Sequence, residues 1–125
     1  MLYLTSLLLV TAITAIDQYD ASNRKLYIEI YSQVNSDLRE SELEVSLQDT
    51  GRMDAAADTR LSAAYPINSL PTVLKLNFNK SLMKNAVRPS LGIRISRRGK
   101  LLYINDMHVP VNPYDTHIQV QLIKV

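Results

Sequence analysis

From about residue 25 to the C-terminus, apolar and polar side chains alternate with a period of two, the spacing that puts successive residues on opposite faces of a β-strand. In Leu26-Tyr27-Ile28-Glu29-Ile30 the aliphatic residues share one face, while Tyr27 and Glu29 point the other way. Glu42 to Gln48 repeats the pattern, with Leu43, Val45 and Leu47 inward and Glu42 and Glu44 toward solvent. Arg60 to Tyr65 is a weaker strand. Between them lies a polar stretch with Gly51, and there a short helix is the alternative, because Met53 and Ala55 to Ala57 are good helix formers interrupted by Asp54.

Pro66 and Pro71 bracket a turn, and Pro71 opens the strand Thr72 to Phe78, where a residue without an N–H is tolerated. The loop from Asn79 to Arg88 has room for one helical turn around Leu82 to Ala86. Pro89 leads into Leu91-Gly92-Ile93-Arg94-Ile95, and Arg97-Arg98-Gly99-Lys100 forms a glycine turn before Leu101 to Ile104 returns as a hairpin. His117 to Leu122 alternates again as a terminal strand. Seven short strands joined by turn-rich loops predict an all-β fold, an antiparallel β-sandwich of about seven strands; a closed barrel is the alternative.

The run Leu2 to Ile16 carries no charge, is short for a membrane span, and fits the apolar part of an export signal. Ala12 and Ala15 are candidate cleavage positions. Only Met1 precedes the run, so the usual positive segment is missing and a start further upstream is open. A first strand packed in the core is the other reading of a uniformly apolar segment. The expected organisation is therefore a signal-like segment over 1–16, a polar linker over 17–24 and one domain over 25–125.

Composition narrows the chemistry. With 125 residues there is room for one core. The absence of cysteine excludes thiol catalysis, disulfides and cysteine-based zinc sites. A net charge of +2 gives no support for general nucleic-acid binding. His108 and His117 stand nine apart with no ligand spacing, so no metal or other cofactor is expected. No nucleophile motif sets a serine beside a base, and Glu42 and Glu44 on an exposed face remain ionised, so no enzyme activity is expected. Asp49 is expected to cap a turn, with Arg52 beside it. The most distinctive surface feature is the basic hairpin, where Arg94, Arg97, Arg98 and Lys100, with Tyr103, would contact an acidic partner or anionic headgroups; solubilising charge at a turn is the plainer reading.

The ordered segments LEVSLQDTGRMDAAADTRLSAAYPI, LPTVLKLNF, LGIRISRRGKLLYINDMHVPV and HIQVQLIKV resemble the YscW-type (ExsB-like) pilotins of type III secretion and the related YbaY-like envelope lipoproteins. The similarity covers roughly Leu26 to Val125. Its most particular pieces are LQDTGRMDA and GKLLYIND, neither of them a catalytic signature. The resemblance implies a periplasmic β-sandwich, associated with the outer membrane, that binds a secretin subunit through the secretin's C-terminal segment and aids its localisation and oligomerisation. The YbaY-like alternative is an envelope binding protein with another ligand, such as carbohydrate. Lipoproteins of this kind carry a cysteine after the apolar run, whereas Ile16 and Asp17 stand there in this sequence. Lipidation therefore does not follow from the resemblance; a soluble or signal-anchored form, or a different natural N-terminus, are the readings left.

Overall fold

A computed structural model describes residues 22–51, 57–105 and 107–125. The signal-like run and the alternative helix around Met53 fall outside these residues, apart from Ala57 at its edge. All seven expected strands are present, together with one more: β1 Asn23–Ser32, β2 Ser41–Asp49, β3 Asp58–Ile67, β4 Thr72–Asn79, β5 Pro89–Arg97, β6 Lys100–Ile104, β7 Val109–Pro110 and β8 His117–Lys124. The expected helical turn is a 3-10 turn at Lys80–Met83, capped by the Asn79 side chain, which accepts the Ser81 N–H at 2.9 Å. β1 begins at Asn23, inside the expected linker, because Asn23 pairs with Asn79 at the end of β4.

The fold is all-β, but the antiparallel sandwich is corrected in two respects. The strands follow one hydrogen-bonded path, β3-β2-β5-β6-β8-β1-β4, with β7 added to β5, so that a single sheet curls into a half-barrel. Pairing is also mixed, because β1 and β8 run parallel from Tyr27↔His117 to Ser32↔Leu122. Parallel neighbours cannot be joined by a tight turn. Here they come from opposite ends of the domain, a pairing that local alternation does not encode. β6 and β8 pair at Tyr103↔Lys124 and Ile104↔Ile123, and just beyond them the Val125 N–H donates to the Leu102 carbonyl at 2.9 Å.

The inner faces of both halves supply one core. Leu26, Ile28 and Ile30 of β1 and Val120 and Leu122 of β8 meet Leu43, Val45 and Leu47 of β2 and Ile93 and Ile95 of β5, all buried. Each such side chain contributes roughly 1.5–3 kcal/mol of burial, which is how a chain without disulfides holds this shape.

Strand directions divide the loops between two ends. At the hairpin end lie the 33–40 loop, the 68–71 turn and the β5–β6 turn. At the opposite end, the cleft end, where Arg24, Lys25, Lys75 and Lys80 line a cleft, lie Ser22, where the described chain begins, and the 80–88 and 111–116 loops. In the hairpin turn Arg98 and Gly99 have φ of 52° and 80°, the positive values that two-residue hairpins require.

Candidate functional site

β3 and β4 terminate the strand path and pair on one side only, with β2 and β1 respectively. They are consecutive strands, yet they share no ladder, so an open seam separates them. Partly buried apolar side chains flank it: Leu61, Ala63 and Tyr65 on β3, Leu70 in the turn, and Leu74 on β4. Free strand edges beside a half-exposed apolar row are the elements of strand addition or groove binding.

Arg60 ties the seam at the cleft end. Its guanidinium donates to the carbonyls of Leu82 at 3.1 Å and Lys84 at 3.2 Å, and pairs with Asp58 at 2.8 Å and Asp49 at 3.6 Å. Asp49 in turn accepts the backbone N–H groups of Arg88 at 2.9 Å, Gly51 at 3.0 Å and Val87 at 3.2 Å. Those donors, Arg88 foremost and then Val87, with the charge of Arg60 adding least, outweigh partial burial and hold the carboxyl below its ordinary range. The expected turn cap at Asp49 is thus a clamp on the 80–88 loop. Arg52 lies outside the described residues, and Arg60 is the described cation beside this carboxylate.

The basic hairpin is assembled only in part. Arg98 pairs with Glu40 at 3.3 Å, both side chains being well exposed, and the Arg97 guanidinium donates to the Asp37 carbonyl. Asp37 is held at about 2, chiefly by the side-chain and backbone hydrogen bonds of Arg39 and least by the charge of Arg97. Arg94 lies further along β5 on the outer face, in register with Glu44 and Ile104, over a shallow recess of about 160 Å³. Lys100 is exposed, and among the described residues neither it nor Arg94 has an ion pair.

Tyr103 is corrected from surface contact to core. It is fully buried, and its hydroxyl donates to the Val34 carbonyl at 2.7 Å and lies 2.8 Å from the Ser36 hydroxyl, pinning the 33–40 loop. The register shift between Ile95 and Ser96 sets Tyr103 opposite Ile95, on the inner face.

At the opposite end a cleft of about 750 Å³ gathers Arg24, Lys25, Lys75 and Lys80 with Tyr114 and Asp115. Sequence reading did not group these residues. Lys25 faces Asn77 and Tyr27 faces Lys75 across the β1–β4 ladder, so the two lysines meet only through a pairing between strands about fifty residues apart. Among the described residues no group of His, Asp and Glu is arranged to hold a metal ion; His117 stacks on Tyr27 with centroids 5.1 Å apart.

The sequence profile of the type III secretion system lipoprotein chaperones, YscW, matches residues 30–122. The chain belongs to this YscW family. A solved structure of an alternative pilotin from the type II secretion system of Vibrio cholerae is similar in fold, with a TM-score of 0.71 and 24% identity over 82% of this chain and 97% of that one. No curated protein matches the sequence. The YscW match spans the half-barrel from near the end of β1 to the end of the β8 core positions, including both seam strands and the basic hairpin. A family of chaperones works by holding a partner, which gives the seam and charged ends of this YscW-family chain more weight than any of its isolated histidines or serines.

Proposed function

We propose that this YscW-family chain is a non-enzymatic pilotin of type III secretion, binding the C-terminal segment of a secretin subunit and aiding its localisation and oligomerisation at the outer membrane. The open seam supports the reading best: two strand edges with unpaired outward backbone flank Leu61, Ala63, Tyr65 and Leu74, a surface that an amphipathic segment would cover. Family membership and the fold shared with a type II pilotin support it independently. Arg94, Arg98 and Lys100 are proposed as a second, weaker contact with acidic side chains of the same partner.

Calorimetric titration of the chain with the C-terminal segment of the secretin encoded in the same organism tests this. Saturable one-to-one binding is expected, weakened about tenfold or more by Tyr65→Ser, the effect of truncating an aromatic anchor. In cells, loss of the chain is expected to reduce secretin multimers in the outer membrane. A folded chain that binds no secretin segment and leaves the multimers unchanged would overturn the proposal in favour of an envelope protein with another ligand.

A further inference from the structure

The charge of this protein is segregated. The cleft beside the N-terminal strand holds four cations, Arg24, Lys25, Lys75 and Lys80, against one carboxylate, a local surplus larger than the +2 of the whole chain. Arg24 is committed to the fold, donating to the carbonyls of Asn112 at 2.5 Å and Asp115 at 2.9 Å, and the Asp115 carboxylate accepts the Asn112 N–H at 2.9 Å. Among the described residues Lys25, Lys75 and Lys80 have no ion pair, and all three are exposed.

Two further features lie at the same end. Tyr114, 95% exposed, stands between the basic cleft and an apolar slot of about 400 Å³ lined by Phe78, Met83 and Val111. The described chain also begins here, where the Lys80 N–H donates to the Ser22 carbonyl at 2.7 Å.

We propose that the cleft end rests on anionic phospholipid headgroups, with Lys25, Lys75 and Lys80 against the phosphates and Tyr114 at the headgroup boundary. An aromatic ring with a polar tip favours that boundary, and cations there are attracted by the surface potential of anionic lipid. The hairpin end fits this role less well, because Arg97 and Arg98 are turned to the chain's own acceptors. Leu74 of the seam and Lys75 of the headgroup surface lie on opposite faces of β4, so secretin binding and vesicle binding can fail independently.

The chain lacks tryptophan, so Tyr114→Trp in the full chain introduces a single reporter at the surface in question. The emission of the reporter, not total binding, decides. A blue shift is expected on phosphatidylcholine vesicles doped with phosphatidylglycerol and not on phosphatidylcholine alone. It should disappear in about 1 M salt, where the screening length falls to about 3 Å. Added K25Q, K75Q and K80Q should each lower the apparent affinity of the shift about fivefold, and the triple variant roughly a hundredfold. An unchanged denaturation midpoint shows that the triple variant is folded, and K100Q with R98Q at the other end should leave the shift intact. Equal shifts on neutral and anionic vesicles, or a shift indifferent to the three lysines, would overturn the proposal. So would the same shift produced by soluble glycerol phosphate without vesicles, which would make the cleft a small-anion site.

Discussion

At the hairpin end of the half-barrel Arg97 donates to the Asp37 carbonyl and Arg98 pairs with Glu40, whereas at the cleft end Lys25, Lys75 and Lys80 have no ion pair among the described residues. Both ends are basic in sequence, yet they differ in what opposes the charge. The 33–40 loop brings Asp37 and Glu40 up to the hairpin, and the buried Tyr103 hydroxyl holds that loop through Val34 and Ser36. At the cleft end the carboxylates serve other purposes: Asp49 receives backbone N–H groups and Arg60, and Asp115 caps its own loop. A count of lysines and arginines therefore does not locate a binding surface. What matters is which cations the fold supplies with internal acceptors: Arg97 and Arg98 have them at the hairpin end, Arg24 and Arg60 at the cleft end, whereas Lys25, Lys75 and Lys80 have no ion pair among the described residues.

The comparison is broken most severely by removing its support at the hairpin end. Tyr103→Ala is expected to cost about 3–5 kcal/mol, the price of an aromatic cavity in a close-packed core. Tyr103→Phe keeps the ring and leaves the Val34 carbonyl unmatched, for about 1–2 kcal/mol. Urea denaturation of both variants separates ring from hydroxyl; if Tyr103→Ala costs no more than Tyr103→Phe, the residue is not the core post described. Next in size is Arg60→Ala, at about 2 kcal/mol, because one guanidinium serves two carbonyls and two carboxylates. The Arg60 variant should lose amide protection in the 80–88 loop before the rest of the sheet, and uniform loss across all strands would show that Arg60 is not a local tie.

How much of this was legible beforehand depends on the length of each period. β2 and β8 alternate over at least six positions, and so their existence and inward faces were plain. β7 spans only Val109–Pro110, too short to carry a period. In Leu101-Leu102-Tyr103-Ile104 every residue is apolar or amphipathic, so alternation assigns no face, and the register shift at Ile95/Ser96 decides that Tyr103 turns inward. The parallel β1–β8 pair, the seam and the lysine cleft all depend on which strands become neighbours. That is settled by how the inner faces pack together, which no single segment specifies.

Acid sharpens the contrast between the Asp49 clamp and its surroundings. Because backbone N–H groups and Arg60 stabilise the carboxylate, the folded state holds the Asp49 proton less tightly than the unfolded state does. The clamp's contribution is then complete above the unfolded value, about 3.9, and disappears as pH falls through the lower folded value. The melting temperature of the native chain should exceed that of Asp49→Asn at pH 7, and the gap should narrow below about pH 4. A gap that stays constant down to pH 2 would mean that the carboxylate charge is not what holds Val87 and Arg88.

The smallest expected effect is at the hairpin tip, and it tests whether neutralised charge there has a structural role. The Arg98 and Glu40 side chains are 82% and 75% exposed, and their 3.3 Å contact is open to water and salt. Pairs of that kind contribute about 0–1 kcal/mol, because the Coulomb gain in high dielectric is offset by the entropy of fixing two long side chains. Arg98→Ala is therefore expected to shift stability by no more than about 0.5 kcal/mol. Glu40→Gly removes the same pair but relieves a side chain held at a φ of 59°, so it should be neutral to slightly stabilising even though the ion pair is gone. If Glu40→Gly instead destabilises more than Arg98→Ala, the carboxylate is doing something for the hairpin beyond meeting Arg98, and the two ends are less different than their ion pairs indicate.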